Sequence, residues 1–139
     1  MKGILILVLI SLTVSLSKDR EAVVKCAKEA MGKPYVKGSK GPNKFDCIGL
    51  VRHCLEKIGK GQNIGSVCHY QYKKGRAADN KNPQPGDAVF FSTAKGKEPS
   101  HVGIYIGNGV YINANSVEKR VTTGQLSNKK YVTARNFID

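Results

Sequence analysis

The chain has 139 residues, with 23 basic and 10 acidic side chains and a formal net charge of +13. This length accommodates one domain. A hydrophobic fraction of 40% with 24% charged residues is typical of a globular protein and excludes a disordered tail. Four cysteines are too few for a disulfide-dense miniprotein. The composition therefore predicts a single basic globular domain.

The first 17 residues have the pattern of a secretory signal peptide. Lys2 precedes an uncharged apolar run from Ile4 to Leu16, and small residues surround Ser17. A membrane anchor is the weaker alternative, because the run is shorter than the roughly 20 residues that a spanning helix needs. We predict cleavage after Ser17 and secretion of residues 18–139 as one domain, with no integral membrane segment after cleavage.

A secreted protein with this excess of basic residues is attracted to polyanions. The sequence has neither the interleaved aromatic and basic residues nor the recognition helix that would favour nucleic acid. We therefore expect no nucleic acid partner, and an anionic cell-wall surface as the partner of the positive charge. The alternative is that the charge only keeps the surface solvated.

The first half of the chain predicts helices. Apolar residues recur at helical spacing between residues 19 and 31. A second helix is predicted to begin after Asp46, as its N-cap, and to end at Gly59. Cys47 then faces inward at the start of this helix. A short third helix is predicted over residues 66–74.

The second half predicts strands, because apolar residues alternate after Pro83. The predicted strands cover residues 88–91, 101–106, 110–114, 119–123 and 131–138. Helices followed by antiparallel strands indicate an α+β domain, with N-terminal helices packed on a C-terminal antiparallel sheet.

One hairpin of this sheet brings two polar residues together. If residues 107–109 form a three-residue loop, Ile106 pairs with Val110 and the apolar residues share one face. His101 and Asn113 then lie on the other face as diagonal neighbours, with a glycine between them. A face of this composition is a poor core and a plausible site.

Three residues in this arrangement have the chemistry of a nucleophilic hydrolase. The helix N-terminus lowers the pKa of the Cys47 thiol, and an imidazole such as His101 serves as general base and acid. Asn113 is suited to hold that imidazole in one tautomer. Each residue has an alternative interpretation: a buried thiol, a hydrogen-bonded strand histidine and a surface amide.

Four short segments follow one another along the chain and carry a family resemblance. They are Gly32–Tyr35 (GKPY), Phe45–Val51 (FDCIGLV), Pro85–Phe91 (PGDAVFF) and Ser100–Gly109 (SHVGIYIGNG). Together they resemble the NlpC/P60 family of cell-wall cysteine peptidases. The resemblance implies a papain-like α+β fold. It also implies hydrolysis of peptidoglycan stem peptides, usually at the bond from γ-D-glutamate to a diamino acid.

The resemblance also implies roles for individual residues. Cys47 is the expected nucleophile, His101 the base and Asn113 the third polar residue, where the family often has histidine. The family usually has serine after the nucleophile, whereas this chain has Ile48. This departure removes a polar substrate contact and leaves the stem-peptide specificity open.

Three further positions are expected to bind substrate. The resemblance places the hydroxyl of Tyr35 near the reacting carbonyl and Asp46 at the free amine of the stem peptide. Ser100, next to the expected base, completes this set.

The remaining cysteines are expected to be buried free thiols. Cys26 and Cys54 lie on inward helical stripes, and a bridge between Cys54 and Cys68 is the alternative. No pair of cysteines or histidines has the spacing of a zinc site. We therefore expect no metal and no cofactor, and a monomer.

The sequence thus predicts a secreted cysteine endopeptidase that cleaves peptidoglycan stem peptides. A second hypothesis keeps the fold and changes the bond, to that between muramic acid and L-alanine or to a γ-glutamyl bond in another polymer. A third is a non-catalytic cationic protein that binds walls or kills bacteria.

Overall fold

The computed structural model describes residues 16–92 and 98–139. The proposed signal peptide therefore lies almost entirely outside the described residues. Within them, no helix has the length and apolar character needed to cross a membrane.

The described residues form two α-helices and a six-stranded antiparallel sheet, which confirms the predicted α+β class. The helices are α1 (Lys18–Glu29) and α2 (Cys47–Glu56). The strands are β1 (Arg76–Ala77), β2 (Ala88–Phe91), β3 (His101–Gly107), β4 (Val110–Asn115), β5 (Arg120–Gln125) and β6 (Tyr131–Asn136). Their order across the sheet is β1-β6-β2-β3-β4-β5.

Both α-helices begin at side-chain caps. Ser17 accepts a hydrogen bond from the backbone N–H of Arg20, and Asp46 accepts one from that of Gly49. Gly59, at a φ of 72°, lies in the left-handed region just after α2, as the sequence predicts. The inward faces of the two helices pack on each other and on the sheet.

A disulfide between Cys26 and Cys54 joins the two helices, with their Cα atoms 5.4 Å apart. The expectation of free thiols at these two positions is therefore wrong, and so is the alternative bridge from Cys54 to Cys68. Each cysteine does lie on an inward stripe, as predicted. The packing of α1 on α2 turns those two stripes toward each other.

The predicted third helix is also wrong. Residues 66–74 contain only a single 3-10 turn at Cys68–Tyr70. The side chain of Gln71 explains the difference, because it accepts a hydrogen bond from the N–H of Gly65 and donates one to the carbonyl of Val67. These side-chain bonds satisfy backbone groups without a helix.

The β3–β4 hairpin has nearly the predicted register. Ile104 pairs with Ile112, as expected, but Gly107 rather than Ile106 pairs with Val110. The pairing shifts because Asn108 and Gly109 form a two-residue turn at positive φ, 55° and 75°. The shift lies beyond Tyr105, so it leaves the facing residues near the start of β3 unchanged.

The polar face of the hairpin is better packed than predicted. Tyr105 and Tyr111 are buried there, and the Tyr111 ring lies 4.5 Å from that of Phe91. They belong to a second apolar cluster on this face of the sheet, with Val89, Phe91 and Ala134. Only the end of this face that carries His101 and Asn113 therefore has the polar character that the sequence predicts for the whole face.

Candidate active site

Cys47 occupies the first position of α2 and is half-buried. The N–H groups of a first helical turn have no acceptor within the helix, so they favour negative charge at this end. Asp46 uses one oxygen to cap α2, through the N–H of Gly49 at 2.6 Å. This cap takes up the N–H of Gly49, one of the donors of the first turn.

His101 begins β3, and its interaction with the thiol of Cys47 contributes to raising the pKa of its ring. Its Nε2 lies 2.6 Å from Oδ1 of Asn113. The Asn113 amide nitrogen donates to the backbone carbonyl of Thr122 at 3.0 Å, so its oxygen must face the ring. Nε2 therefore carries the proton, and Nδ1 is left to exchange a proton with the sulfur.

Gly103 makes room for this hydrogen bond. A Cβ atom at this position would lie 3.2 Å from Cβ of Asn113 and 2.8 Å from the Tyr111 ring. Any side chain here would push against the residue that holds the imidazole. The glycine between the two polar residues is thus required by close packing.

The electrostatics of the pair favour a thiolate beside an imidazolium. The pKa of Cys47 is lowered to about 5, mainly by a hydrogen bond from Cys68 and also by the hydrogen bond and charge of His101, against the opposing effect of burial. Burial lowers the pKa of His101, but the contacts with Cys47 and Asn113 outweigh it and raise that pKa. The sulfur is therefore ionised above about pH 5, and the raised pKa of His101 favours a protonated ring beside it.

Cys68 affects the ionisation of Cys47, and the sequence does not predict this effect. Its buried thiol donates a hydrogen bond to Cys47, and this bond together with burial raises the pKa of Cys68. Positions 47 and 68 lie on separate elements, so no spacing pattern could join them. The only signal in the sequence is a cysteine left over once one bridge has formed.

The three expected substrate-binding residues have different surroundings. Tyr35 is half-buried, and burial and the negative charges of Cys47 and Asp46 raise its pKa, which keeps the phenol protonated next to the sulfur. Asp46 accepts hydrogen bonds from the N–H groups of Gly49 and Gly38, so each of its two carboxylate oxygens is bonded to a backbone N–H. Ser100 is exposed immediately before His101. Their roles toward substrate stay predictions.

A pocket of about 170 Å³ adjoins the imidazole. His101 and Asn113 form part of its wall, and Asn115, Asn128 and Lys130 are among its other residues. The side chain of Ile48, by contrast, is buried in the main core. The residue after Cys47 therefore contributes its side chain to the packing of the core. Within the described ranges, no group of three histidine, cysteine or acidic residues is placed to hold a metal ion.

The ionisation of Cys47 gives a direct prediction. Its alkylation by iodoacetamide should rise with pH around a midpoint near 5, because the thiolate reacts and the pKa is lowered to about 5. An ordinary thiol has its midpoint at about 8.5. Replacing Cys68 by alanine should move the midpoint upward, because the strongest stabilising contact is lost.

Cys68→Ser is the matched control, since a hydroxyl can still donate to the sulfur. Peptide mass mapping distinguishes Cys47 from Cys68 as the alkylated residue. A midpoint above pH 8 in the unmodified protein would contradict the described ion pair.

Comparison with known proteins places this geometry in context. The model of the NlpC/P60 family matches residues 32–137. A probable endopeptidase p60 of Listeria grayi is 38% identical over 100 residues, which cover 72% of this chain and 19% of that protein. A gamma-DL-glutamyl hydrolase of Bacillus subtilis is 38% identical over 106 residues, which cover 76% of this chain and 25% of that protein.

A solved structure, NlpC2 from Trichomonas vaginalis, superposes with a TM-score of 0.80 at 27% identity. The match covers 91% of this chain and 49% of that one. This similarity confirms the fold class that the resemblance implied. The chain spans about a fifth to a quarter of the length of the two curated relatives.

Proposed function

Because the chain belongs to the NlpC/P60 family, we propose that it is a cysteine peptidase that hydrolyses the stem peptides of peptidoglycan. The observation that supports this most directly is the hydrogen bond between His101 and Asn113, together with the mutual effect of Cys47 and His101 on their pKa values. The fixed tautomer and the lowered thiol pKa are the two conditions that nucleophilic attack by sulfur requires.

In the proposed mechanism the Cys47 thiolate attacks the scissile carbonyl carbon. The backbone N–H of Cys47 stabilises the resulting oxyanion. The imidazolium of His101 then donates its Nδ1 proton to the leaving amine, and an acyl-enzyme remains. The same ring, now neutral, takes a proton from water, which attacks the thioester and releases the acid.

We propose the bond from γ-D-glutamate to a diamino acid as the site of cleavage. The similarity to a protein named for γ-DL-glutamyl hydrolysis supports this choice. Tyr35, Asp46 and Ser100 are the proposed substrate contacts. The buried side chain of Ile48 leaves the groove without the serine that the family usually places there.

We also propose that the protein acts outside the cell. The apolar N-terminal segment supports export, and the Cys26–Cys54 disulfide is of a kind that persists in oxidising compartments. Residues 18–139 keep all of the chain's net charge of +13 except that of Lys2, which supports attraction to an anionic wall. Rising salt should then weaken wall binding, since about 1 M salt shortens the Debye length to about 3 Å.

Digestion of purified peptidoglycan tests the proposed function. The released muropeptides are identified by mass, with enzyme alkylated at Cys47 as the control. New amino termini on the diamino acid are the expected result. Cleavage between muramic acid and L-alanine would identify an amidase instead, and the absence of any product that alkylation suppresses would contradict a cysteine hydrolase.

A further inference from the structure

The pocket of about 170 Å³ beside the imidazole has a wall that the proposed mechanism does not use. His101 and Asn113 form one side of it. Cys47, Asp46 and Tyr35 do not line it. In the proposed mechanism the acyl part of the substrate stays on Cys47, and the leaving amine takes its proton from His101. The part of the substrate that leaves with the amine is therefore the part that can enter this pocket.

The apolar part of the pocket wall consists of packed aromatic rings. Phe91 and Tyr111 are 2% and 6% exposed, and their rings lie 4.5 Å apart. The Phe91 ring also lies 6.0 Å from that of His101, so the apolar wall reaches the imidazole. A short hydrocarbon chain next to the reacting bond can therefore be buried against these rings.

The polar part of the wall offers hydrogen-bond donors. Asn115 is half-buried, and its Oδ1 accepts from the backbone N–H groups of Val117 and Glu118, both at 2.9 Å. These two bonds fix the orientation of the amide, so Nδ2 is the end that is left to donate to a ligand. Asn113 cannot take this role, because both ends of its amide already form hydrogen bonds within the protein.

Lys130 brings a positive charge to the same wall. Its backbone is held on both sides, because its N–H donates to Asn128 Oδ1 at 2.9 Å and its carbonyl accepts from the Ser92 N–H at 2.8 Å. None of the described residues that line the pocket is acidic. Glu118, in the turn after β4, pairs with Arg120 at 3.2 Å. The described part of the wall therefore supplies a cation and no carboxylate to neutralise it.

We propose that this pocket binds a free carboxylate on the leaving part of the substrate, with Asn115 and Lys130 as its specificity-determining residues. The identity of that leaving part rests on the proposed function. The carboxylate accepts hydrogen bonds from the Asn115 amide and pairs with the Lys130 ammonium, while its hydrocarbon stem lies on Phe91 and Tyr111. A carboxamide in the same place binds less tightly, because it is neutral and turns its own N–H donors toward these donors.

Two carboxylates of a leaving diamino acid have this chemistry. One is the main-chain carboxylate, which is free where no further residue follows. The other stands at the end of the side chain when the diamino acid is a dicarboxylic acid. The tripeptide L-Ala-γ-D-Glu-meso-diaminopimelate carries both, so converting one at a time to a carboxamide identifies the carboxylate that the pocket binds.

The test compares kcat/KM of the full chain for this tripeptide, its two monoamides and its diamide. One monoamide should be cleaved with a kcat/KM lower than that of the parent by about tenfold or more, the size expected for a hydrogen bond to a charged group. Lys130→Gln should remove this preference, because its neutral side chain no longer attracts the charge. Lys129→Gln changes an exposed neighbour that does not line the pocket, so this control should keep the preference.

Asn115→Asp tests the second side chain and preserves the turn. A carboxylate at this position still accepts from the N–H groups of Val117 and Glu118, but it repels a substrate carboxylate and accepts from a carboxamide. The variant should therefore reverse the preference in favour of the monoamide. A merely structural role would lower kcat/KM for all four peptides equally and leave their ratios unchanged.

Equal kcat/KM for the parent and its three amides in the unmodified protein would overturn the proposal, and so would an equal preference in Lys130→Gln and Lys129→Gln. If no peptide is cleaved, the proposed function fails, and an NMR titration of the full chain with the parent tripeptide and its diamide decides the fate of the pocket. Shifts of the Asn115 and Lys130 signals with the parent alone would retain the carboxylate site. The absence of these shifts would reject it as well.

Discussion

Replacing Cys47 by alanine should abolish hydrolysis of peptidoglycan, with a loss of at least about four orders of magnitude. The thiolate is the only group in the series that can form the acyl-enzyme, and alanine at position 47 removes it without adding bulk. Binding to the wall should survive, because it depends on surface charge. Release of muropeptides and sedimentation with insoluble wall measure the two quantities separately.

His101→Ala should cause a loss of similar size, because the imidazolium both stabilises the thiolate and supplies the proton for the leaving amine. The double variant should be hardly worse than either single one, since residues that act as a unit are not additive. His53→Ala is the matched control: this imidazole packs on the Phe45 ring, 5.2 Å between centroids. Unchanged killing of bacteria by Cys47→Ala, with no wall hydrolysis by either protein, would favour the non-catalytic cationic protein.

Arg20→Met should lower the free energy of unfolding by about 3–5 kcal/mol, the range for breaking a buried ion pair. Arg20 is only 3% exposed and donates to Asp87 Oδ1 at 3.0 Å, and Asp87 is 2% exposed. The same guanidinium holds the carboxylate of Asp139 at 2.9 Å and the carbonyl of Pro85 at 3.0 Å. Methionine has a similar length but leaves the Asp87 charge buried without its cation.

The pH dependence of this loss has a defined sign. Burial raises the pKa of Asp87, against the lowering effects of the Gln84 N–H and Arg20. Without Arg20 that pKa rises further, so the ionised form destabilises the variant as pH increases. The difference in unfolding free energy between wild type and variant should therefore shrink as pH falls toward about 4.

Urea unfolding at several pH values measures both the loss of unfolding free energy in Arg20→Met and the change of that loss with pH. Arg52→Met is the control, because its pairing with Glu56 at 3.6 Å is largely solvent-exposed and should contribute less than about 1 kcal/mol. Adding Asp87→Leu to Arg20→Met should recover much of the stability, since the unpaired charge is then removed. If Arg20→Met and Arg52→Met lost equal amounts of unfolding free energy, the buried Arg20–Asp87 pair would contribute no more to stability than an exposed ion pair.

Local patterns predict the helices and strands of this chain well. Apolar spacing, the Asp46 cap and Gly59 identify α2, and simple alternation identifies β2 to β4. The same alternation predicts that His101 and Asn113 share a face, and the structure places them in hydrogen-bond contact. These features depend on neighbours along the chain or across one hairpin.

The features that the sequence does not predict depend on contacts between distant elements. The Cys26–Cys54 bridge needs α1 to lie on α2, and the effect of Cys68 on the pKa of Cys47 joins residues of separate elements. The false third helix has a different, local origin. The helical spacing of residues 66–74 is overruled by the side chain of Gln71, which takes the local backbone partners.

The carboxylate of Asp46 links the start of α2 to the loop that follows Tyr35. One oxygen holds the start of the nucleophile's helix, and the other holds Gly38 in the loop that follows Tyr35. Neither part can move alone without breaking one of these bonds. Separating the start of α2 from the loop after Tyr35 therefore costs at least one hydrogen bond to a charged group, about 1.5–3 kcal/mol.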